Sequence, residues 1–425
     1  MLGYIIIFCV LLFFSFLTVL KKRRDNVLLI VLRLLYLGSA IVSVFHYCST
    51  PESYKELNIF SYFFLFISLI VASSPLYGYQ PFRYENVQKM HISTANALAV
   101  ILILLYLPDL ILTIPEIIYD INEILFDFAY ASEMYNDTAK MTATQTGQGI
   151  NNIASVFRNS FSEVIVFFPF YYVLYEKRNK LITILLWLSM FSPLFTSFRL
   201  GSRTMMSWWI LEIIICFLLF RNYYIKATSK WINRIVYAIS SFVIVVFVLL
   251  TIGRFATGMY ENDSHVENSL VSYAGQGTLN FSDDILQNDV YQYGDNCFPL
   301  FRRMIGLEAS DNLYERQAKW SSSMKIRQGA FYTFIGDFYN DFSPFFGFVL
   351  LLFLSLILNS IIRRKDGKII SASKLYLIYF CSCVFFNGLF YFSYKGIGGN
   401  LRIIVNLLFI LLLSTLLSNK KYNYV

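Results

Sequence analysis

The chain begins with MLGYIIIFCVLLFFSFLTVLKKRR (residues 1–24), an uncharged apolar run followed directly by four cationic residues. A transmembrane helix needs about 20 consecutive, mainly apolar residues to cross the hydrocarbon core of a bilayer. Basic residues next to such a helix favour the cytoplasmic side of the membrane. The run has no cationic residue before it and no small-residue cleavage site after it, so it lacks the features of a cleaved signal peptide. We therefore expect an uncleaved first membrane helix whose N-terminus lies outside the cytoplasm.

The composition of the whole chain is that of a polytopic membrane protein. Among its 425 residues, 57% are hydrophobic and only 15% are charged, and the mean hydropathy is +0.55, well outside the range of soluble globular domains. The net charge of +8 comes largely from lysines and arginines that flank apolar segments, where they set topology. It therefore does not indicate a nucleic-acid partner. The six cysteines show no CxxC or Cys/His spacing, so no metal centre is predicted.

Apolar segments of spanning length recur along the chain and predict an all-α protein with about eleven transmembrane helices in a single integral membrane domain, residues 1–425. The predicted spans are 2–20, 26–48, 57–74, 92–115, 161–176, 181–198, 204–220, 235–252, 343–362, 370–394 and 401–418. When these spans alternate across the membrane, the short basic connectors fall on one side, which is therefore predicted to be cytoplasmic. These connectors are 21–24, 75–91, 177–180, 221–234, 363–368 and the tail that contains Lys420 and Lys421.

Two long segments, 116–160 and 253–342, fall on the outer side and carry most of the acidic residues. Ile117, Ile118 and Ile121 in the first segment fit the apolar face of an amphipathic helix at the outer interface. The second segment is the largest polar stretch of the chain and is long enough to cap a cavity on the outer face. We expect both segments to be extracytoplasmic loops.

Cationic residues at the predicted outer ends of helices are the most unusual feature of the sequence, because basic residues normally collect on the cytoplasmic side. They are Arg199, Arg203, Arg254, Lys395 and Arg402. Any one of them could be a side chain that snorkels to headgroup phosphates, but together they favour a converging anion site. Guanidinium groups bind phosphate oxygens in pairs and stay charged. The predicted ligand is therefore a diphosphate whose lipid tail remains in the bilayer.

Other residues of the outer loops are candidates for substrate binding and for a general base. Arg302 and Arg303 add cations. Tyr273 and Trp320 offer flat faces for sugar rings, although aromatic residues also form the belt at membrane interfaces. His265 is the only histidine placed clearly outside, and it is a candidate base. Carboxylates are the alternative bases, namely Glu261, Asp263, Asp283 and Asp284; the adjacent pair among them is also a less favoured candidate for metal binding.

Sequence motifs of several other protein classes are absent from the chain. There is no GxxxxGK[ST], HExxH or GxSxG, which argues against an ATPase, a zinc protease and a serine hydrolase. There is also no matching pair of Gly/Pro-broken helices of the kind found in repeat-built transporters. Charged residues inside the predicted spans are few, namely Arg33, Asp109, Glu163, Glu212 and Lys374.

Four stretches of the chain together resemble one known family. They are FRLGSR (198–203), GRFATG (253–258), SYAGQGTLNFSDD (272–284) and FYTFIGDFYNDFSPFFGFVLLLFLS (331–355). In the setting of about eleven helices and a large late outer loop, they resemble the bacterial Wzy-type oligosaccharide repeat-unit polymerases, the O-antigen and capsule polymerase group. The resemblance implies a GT-C-like fold in the bacterial inner membrane, with the N-terminus periplasmic and the C-terminus cytoplasmic.

The resemblance also implies an activity. A member of this family is an inverting glycosyltransferase that joins undecaprenyl-diphosphate-linked oligosaccharides of lipopolysaccharide or capsule at the periplasmic face, without metal, nucleotide or other cofactor. By position, Arg199, Arg203 and Arg254 correspond to essential arginines of the family and would stabilise the leaving diphosphate. His265 corresponds to a loop histidine of related ligases. The expected substrate-binding residues are Arg302, Arg303, Tyr273, Trp320 and Arg402. Membrane lipids and a chain-length regulator protein are further expected partners.

Two alternative functions stay open at the level of sequence. An O-antigen ligase, or another lipid-linked GT-C glycosyltransferase, differs from a polymerase in that its product does not grow repeat by repeat. A flippase or exporter of lipid-linked oligosaccharide belongs to a different class and places charges along a central cavity lined by helices. The charged residues of this chain lie mainly in the outer loops, which favours the enzyme.

Overall fold

The computed structural model describes most of the chain, with gaps. The described residues are 1–126, 149–199, 203–226, 228–241, 265–311, 313–320, 322–324, 326–327, 330–364 and 367–418. Within them the chain is predominantly α-helical, in agreement with the predicted all-α class. The strands of this part are β1 (Asn86–Val87) and β2 (Ile369–Ile370), which pair in parallel.

The helix boundaries are set in part by local signals. In chain order the helices of the described residues are α1 (Leu2–Lys22), α2 (Val27–Ser49), α3 (Ile59–Ala72), α4 (Ser74–Gly78), α5 (Ile92–Phe126), α6 (Gly149–Ser160), α7 (Ser162–Tyr172), α8 (Lys180–Ser189), α9 (Ser192–Arg199), α10 (Arg203–Phe220), α11 (228–241), α12 (His265–Asp284), α13 (Pro299–Met304), α14 (Leu313–Trp320), α15 (Thr333–Arg363), α16 (Ala372–Asn387) and α17 (Gly396–Ser418). Asparagine side chains accept a hydrogen bond from a first-turn N–H at the start of α2, α3 and α8, through Asn26, Asn58 and Asn179. Such caps satisfy backbone donors that a helix leaves unpaired at its N-terminus.

Six helical stretches in the described part of the chain are long and apolar enough to cross a membrane. They are Leu2–Lys22, Val27–Ser49, Ile92–Glu123, Lys180–Arg199, Thr333–Arg363 and Gly396–Leu417. A seventh would be formed by Ile59–Ala72 and Ser74–Arg83, two helical pieces bent by 45° at their junction. All seven correspond to predicted spans, and they support a multi-pass membrane protein.

Four of the eleven predicted spans are not among these. Residues 161–176 contain only the 11-residue helix α7, which rises about 17 Å at 1.5 Å per residue, whereas the hydrocarbon core is about 30 Å thick. The apolar helices within 204–220 and 370–394 are also shorter than a full span. The predicted span 235–252 lies partly outside the described residues. The count of eleven therefore stays a prediction.

The polar segment 253–342, predicted as a loop, is largely helical where it is described. Its helix α12 packs against α2. Ser39 Oγ donates to the Ala274 carbonyl (2.6 Å), and Ser43 Oγ donates to the Gly275 carbonyl (2.8 Å). A Cβ atom on Gly275 would lie 2.9 Å from the Ser43 Cα. Small residues on both helices thus allow close backbone approach, as in helix pairs within membranes.

Helix α15 is broken near its start. Ser343 has φ 65° and ψ 160°, a backbone region that residues other than glycine rarely adopt, and Pro344 follows it. Residues 333–341, before the break, are all buried. After the break, Phe345 and Phe346 are 69% and 67% exposed. The first part of α15 therefore belongs to the protein interior, and the second part presents the apolar surface of a spanning helix.

Contacts divide the chain into two compact units. Unit 1 comprises Met1–Tyr84, Ser264–Lys368 and Phe380–Ile404, and unit 2 comprises Glu85–Asp263, Ile369–Tyr379 and Val405–Val425. In unit 2, residues 163–172 of α7 are all buried, and Phe167 packs edge-on against Tyr376 with ring centroids 4.8 Å apart. In unit 1, the pair α2 and α12 and the first part of α15 supply much of the interior.

Candidate functional site

A group of polar side chains, all buried except Lys395, lies in unit 1 where α15 begins. We call it the Asp337 cluster, and its members are Asp295, Asn296, Asp337, Asp341, Lys395 and Asn400. The Asp337 carboxylate, 4% exposed, accepts hydrogen bonds from Asn296 Nδ2 (3.1 Å) and the Phe392 N–H (2.7 Å). Lys395 Nζ lies 3.2 Å from both oxygens of this carboxylate. The Lys395 side chain is 26% exposed. In this ion pair, Asp337 is therefore enclosed by protein, whereas Lys395 is accessible to solvent.

Asp341 and Asn400 hold the non-helical segment that precedes α13. Asp341 accepts hydrogen bonds from the N–H groups of Asn296 (3.1 Å) and Cys297 (2.6 Å). Asn400 Nδ2 donates to the carbonyls of Cys297 (2.7 Å) and Tyr394 (3.0 Å). Buried backbone groups outside helices need such partners. These two side chains therefore fix the segment against the beginnings of α15 and α17.

Asp295 connects this segment to Trp320, one of the predicted substrate-binding residues. Its carboxylate accepts hydrogen bonds from the N–H and Oγ of Ser310, each at 2.7 Å, and from Trp320 Nε1 at 2.8 Å. Burial opposes the charged form of Asp295, but these hydrogen bonds and the nearby Lys319 outweigh it, so the pKa of Asp295 lies below its usual range. Trp320 is thus anchored by its indole N–H while its ring remains partly exposed.

Arg302 and Arg303, also predicted to bind substrate, lie in the last turn of α13 and bond mainly to nearby backbone. Arg302 donates to the carbonyls of Tyr293 (2.7 Å) and Glu308 (3.0 Å). Arg303 is paired with Asp311. Both guanidinium groups therefore close the turn that follows α13, and the exposed Arg303 is the more accessible of the two.

A second group of polar side chains joins the end of α12 to the start of α15. We call it the Asp283–Arg327 cluster: Tyr54, Asp283, Asp284, Arg327 and Tyr332. Arg327 donates to Asp283, and its guanidinium lies 4.9 Å from the centroid of the Tyr54 ring. The Tyr332 hydroxyl donates to Asp284 Oδ2 (2.5 Å). Burial raises the pKa of Asp284 above its usual range, although Tyr332 and Arg327 act in the opposite direction.

The predicted mid-chain arginines belong to unit 2. Arg199 ends α9, and its Nη1 lies 2.9 Å from Glu116 Oε2, with each side chain 52% exposed. This pair joins the predicted outer ends of the fourth and sixth spans. Helix α10 begins at Arg203. The Arg203 side chain and the whole of Arg254 lie outside the described residues, as does the side chain of His265, the first residue of α12.

The remaining predicted site residues, Tyr273 and Arg402, lie in unit 1. Tyr273 is partly buried and packs edge-on against Phe331, with ring centroids 5.0 Å apart. The Arg402 guanidinium lies 4.9 Å from the centroid of the buried Tyr394 ring. Aromatic contacts thus occupy part of the Tyr273 ring and hold the Arg402 side chain.

The carboxylates of the Asp337 cluster were not predicted from the sequence, although a signal for them exists. In GDFYND (336–341), Asp337 and Asp341 stand four residues apart, which puts them on one face of a helix. They also lie directly before a long apolar run, where carboxylates are costly and usually functional. The aromatic residues between them obscure this signal, because such residues are also common at membrane interfaces. Asp295 and Arg327 carry no comparable local signal, because their partners are distant in the sequence.

Among the residues that the structure describes, no three His, Cys, Asp or Glu side chains gather as metal ligands. Asp283 and Asp284, the pair considered for a metal, accept hydrogen bonds from Arg327 and Tyr332. The expectation that no metal is required stays a prediction.

Comparison of the chain with protein family models, with curated proteins and with solved structures finds no match. The function proposed below is therefore inferred from the residues and their geometry, together with the family resemblance of the sequence.

Proposed function

We propose that this protein is an integral membrane glycosyltransferase that polymerises undecaprenyl-diphosphate-linked oligosaccharide repeat units at the periplasmic face of the bacterial inner membrane. The observation that carries the proposal is the Asp337 cluster, which encloses carboxylates and a cation where the apolar helices α15 and α17 begin. A buried charge is costly, and ionisable residues within membrane segments are usually kept for function. A polar site at the end of spanning helices suits a ligand whose head is polar and whose lipid tail stays in the bilayer.

Unpaired polar atoms next to the cluster support a hydroxyl-rich ligand. Thr333 Oγ1 and both amide atoms of Asn387 are buried without a hydrogen-bond partner in the described part of the chain. The two residues lie close together, because the Phe334 N–H donates to the Gly388 carbonyl (2.8 Å). Since buried polar groups are normally satisfied, these atoms are suited to sugar hydroxyls or to the waters that a sugar would displace.

The proposed reaction uses these groups in separate roles. A hydroxyl of one lipid-linked repeat unit forms a bond to the anomeric carbon of the growing chain, the bond from that carbon to the diphosphate breaks, and undecaprenyl diphosphate leaves. Stabilisation of the charge on the leaving diphosphate has two candidate sources, each taken separately: Lys395 in unit 1, and the mid-chain arginines predicted from the sequence, Arg199, Arg203 and Arg254. The hydroxyl proton passes to His265 or to Asp284, a carboxylate whose pKa burial raises above its usual range. Trp320 offers its exposed ring to a sugar.

The decisive experiment is polymerisation by the purified protein. Supplied with lipid-linked repeat units in excess chelator, it is expected to make a ladder of products that lengthens by one repeat at a time. The double variant Lys395→Met/Asp337→Asn, which removes both charges of the ion pair without leaving either one unpaired, is expected to slow polymerisation about 100-fold, the usual effect of losing one transition-state donor. Arg203→Lys tests the mid-chain arginine in the same way. The matched control is Lys230→Met, which removes an exposed charge in unit 2.

Other outcomes of this experiment would contradict the proposal. A normal ladder from the double variant at wild-type abundance would remove the Asp337 cluster from the site. A single transfer to a lipid acceptor, without a ladder, would identify a ligase. Movement of intact lipid-linked oligosaccharide across vesicles, with no new glycosidic bond, would identify a transporter. Loss of activity in chelator that a divalent cation restores would contradict a metal-independent reaction and would favour Asp283 and Asp284 as metal ligands.

A further inference from the structure

A cavity lined by arginines lies in unit 1, apart from both clusters described above. It has a volume of about 320 Å³ and is lined by Gly78, Gln80, Arg83, Arg363 and Arg364, among others. An adjoining space of about 380 Å³ shares several of these residues and adds Arg23 and Tyr77. We call the two together the arginine cavity. Its size lies within the usual range for small-molecule sites, about 300–1,000 Å³.

The arginines of this cavity come from distant parts of the sequence and meet at the ends of spanning helices. Arg23 directly follows α1, Arg83 ends the bent pair Ile59–Ala72 and Ser74–Arg83, and Arg363 ends α15. The predicted topology places all three on the cytoplasmic side, opposite the proposed reaction site. A site at the ends of spans lies at the depth of lipid headgroups, whose phosphates flank the hydrocarbon core.

Packing holds two of these side chains in place. The Arg23 guanidinium lies 4.6 Å from the centroid of the Tyr77 ring. Arg363 lies directly over Gly78, where a Cβ atom would be only 2.9 Å from Arg363 Cγ and 3.1 Å from its Nε. A side chain that only reaches the headgroup region by snorkelling needs no such packing contact. Glycine at position 78 therefore permits the close approach that places Arg363 at the cavity.

Three of the arginines that line the cavity receive no counter-charge from the described part of the protein. Among the described residues, no carboxylate forms an ion pair with Arg23, Arg83 or Arg363. Cations brought together without counter-charge repel each other, and a bound anion relieves that repulsion. Guanidinium groups bind phosphate oxygens through paired N–H donors.

We propose that the arginine cavity binds a phosphate-bearing ligand, with Arg23, Arg83 and Arg363 as the groups that contact phosphate oxygens. Its position at the ends of three spans favours the headgroup of an anionic phospholipid. A soluble diphosphate offers the same chemistry, and the experiment separates the two sources. The site is independent of the proposed polymerase reaction, because it uses none of the residues assigned to that reaction.

The test measures lipid binding by the full-length protein in detergent, with native mass spectrometry and phosphatidylglycerol as the probe. The variant Arg23→Gln/Arg83→Gln/Arg363→Gln lacks the three proposed phosphate-binding groups. It is expected to bind phosphatidylglycerol at least about 10-fold more weakly, a loss of about 1.4 kcal/mol in binding free energy. The matched control, Lys21→Gln/Lys22→Gln/Arg24→Gln, removes as many charges from residues at the end of α1 that do not line the cavity. It is expected to bind within about twofold of the wild type. Equal losses in the two variants would overturn the proposal.

Two further measurements complete the test. Inorganic pyrophosphate is titrated against the wild type: competition with phosphatidylglycerol would assign the cavity to phosphate groups from either source, whereas lipid binding without competition would assign it to lipid headgroups. Binding of neither probe would overturn the proposal.

If the triple variant does not fold, the site is tested in the wild type by chemical modification with phenylglyoxal, which reacts with arginine. Phosphatidylglycerol is expected to protect Arg23, Arg83 and Arg363 but not Arg24, and an unprotected cavity would reject the site.

Discussion

At the scale of single residues, the two ion pairs Asp337–Lys395 and Glu116–Arg199 show how burial decides the value of a charge. The Asp337 side chain is 6% exposed and is also held by two N–H donors. Glu116 and Arg199 are both half exposed, so water screens their attraction. Exposed ion pairs contribute little to stability, whereas a buried charge that loses its partner is strongly destabilising.

We therefore expect Lys395→Met to lower the free energy of unfolding by on the order of 2 kcal/mol, less than for a fully buried pair because Lys395 is partly exposed. Arg199→Met, the matched change at the exposed pair, should cost less than about 1 kcal/mol. Adding Asp337→Asn to Lys395→Met should recover much of the loss, since no buried charge then remains unpaired. Thermal unfolding in detergent measures all three. Equal effects of the two single variants would contradict the geometry of the cluster.

Asp295 predicts a pH dependence with a definite sign. Its pKa is lowered in the folded protein, because hydrogen bonds from Trp320 and Ser310, with Lys319 nearby, outweigh the effect of burial. A lowered pKa gives stability that is present above the unfolded value, about 3.9, and is lost as the pH falls toward the folded value. Asp295→Asn should therefore reduce thermal stability at pH 7 and flatten its decline below pH 5. The exposed Asp289→Asn is the control, and parallel acid profiles for Asp295→Asn and the wild type would contradict the prediction.

At the scale of helices, the close pairing of α2 with α12 gives a test of packing. Gly275→Ala would put a methyl group 2.9 Å from the Ser43 Cα, and overpacking of this kind costs about 1–3 kcal/mol. Gly38 lies in α2 itself, and nothing lies within 4 Å of a Cβ built there, so Gly38→Ala should stabilise the helix by about 0.5–1 kcal/mol. Shifts of opposite sign in the melting temperature are expected. A stabilising Gly275→Ala would show that the two helices are not in contact.

The same helices show what the sequence could reveal. Continuous apolar runs predicted α1 and α2 because a lipid-facing helix needs little else. Helix α12 was expected to be part of a loop, because its small and polar residues have low hydropathy and their function as a packing surface depends on α2, far away in the sequence. Helix α7 shows the converse: hydropathy cannot distinguish residues buried in protein from residues facing lipid, so a short helix buried by protein has the same sequence pattern as a span. Likewise, the Asp337 cluster joins residues from three separate segments.

At the scale of the whole molecule, the orientation of the chain can be tested at α15. Between residues 284 and 366 the described part of the chain contains a single helix that could cross a membrane, Thr333–Arg363. Reporter fusions after Asp284 and after Asp366 should therefore lie on opposite sides, the first periplasmic and the second cytoplasmic. Alkaline phosphatase and green fluorescent protein report the two compartments. Equal signals would contradict both the span and the predicted alternation.

The contact between Ser43 and Gly275 can form only after a delay during synthesis of the chain. The two residues are 232 positions apart, and at 5–20 residues per second their synthesis is separated by roughly 10 to 50 s. During that interval α2 is in the bilayer without its packing partner α12. The Ser39 carbonyl of the same helix lies 2.9 Å from Ser43 Oγ, so the single hydroxyl proton has an acceptor within α2 before Gly275 is available. The hydroxyl is thus sheltered from lipid until α12 arrives, and a ribosome stalled before residue 265 would leave α2 in that state.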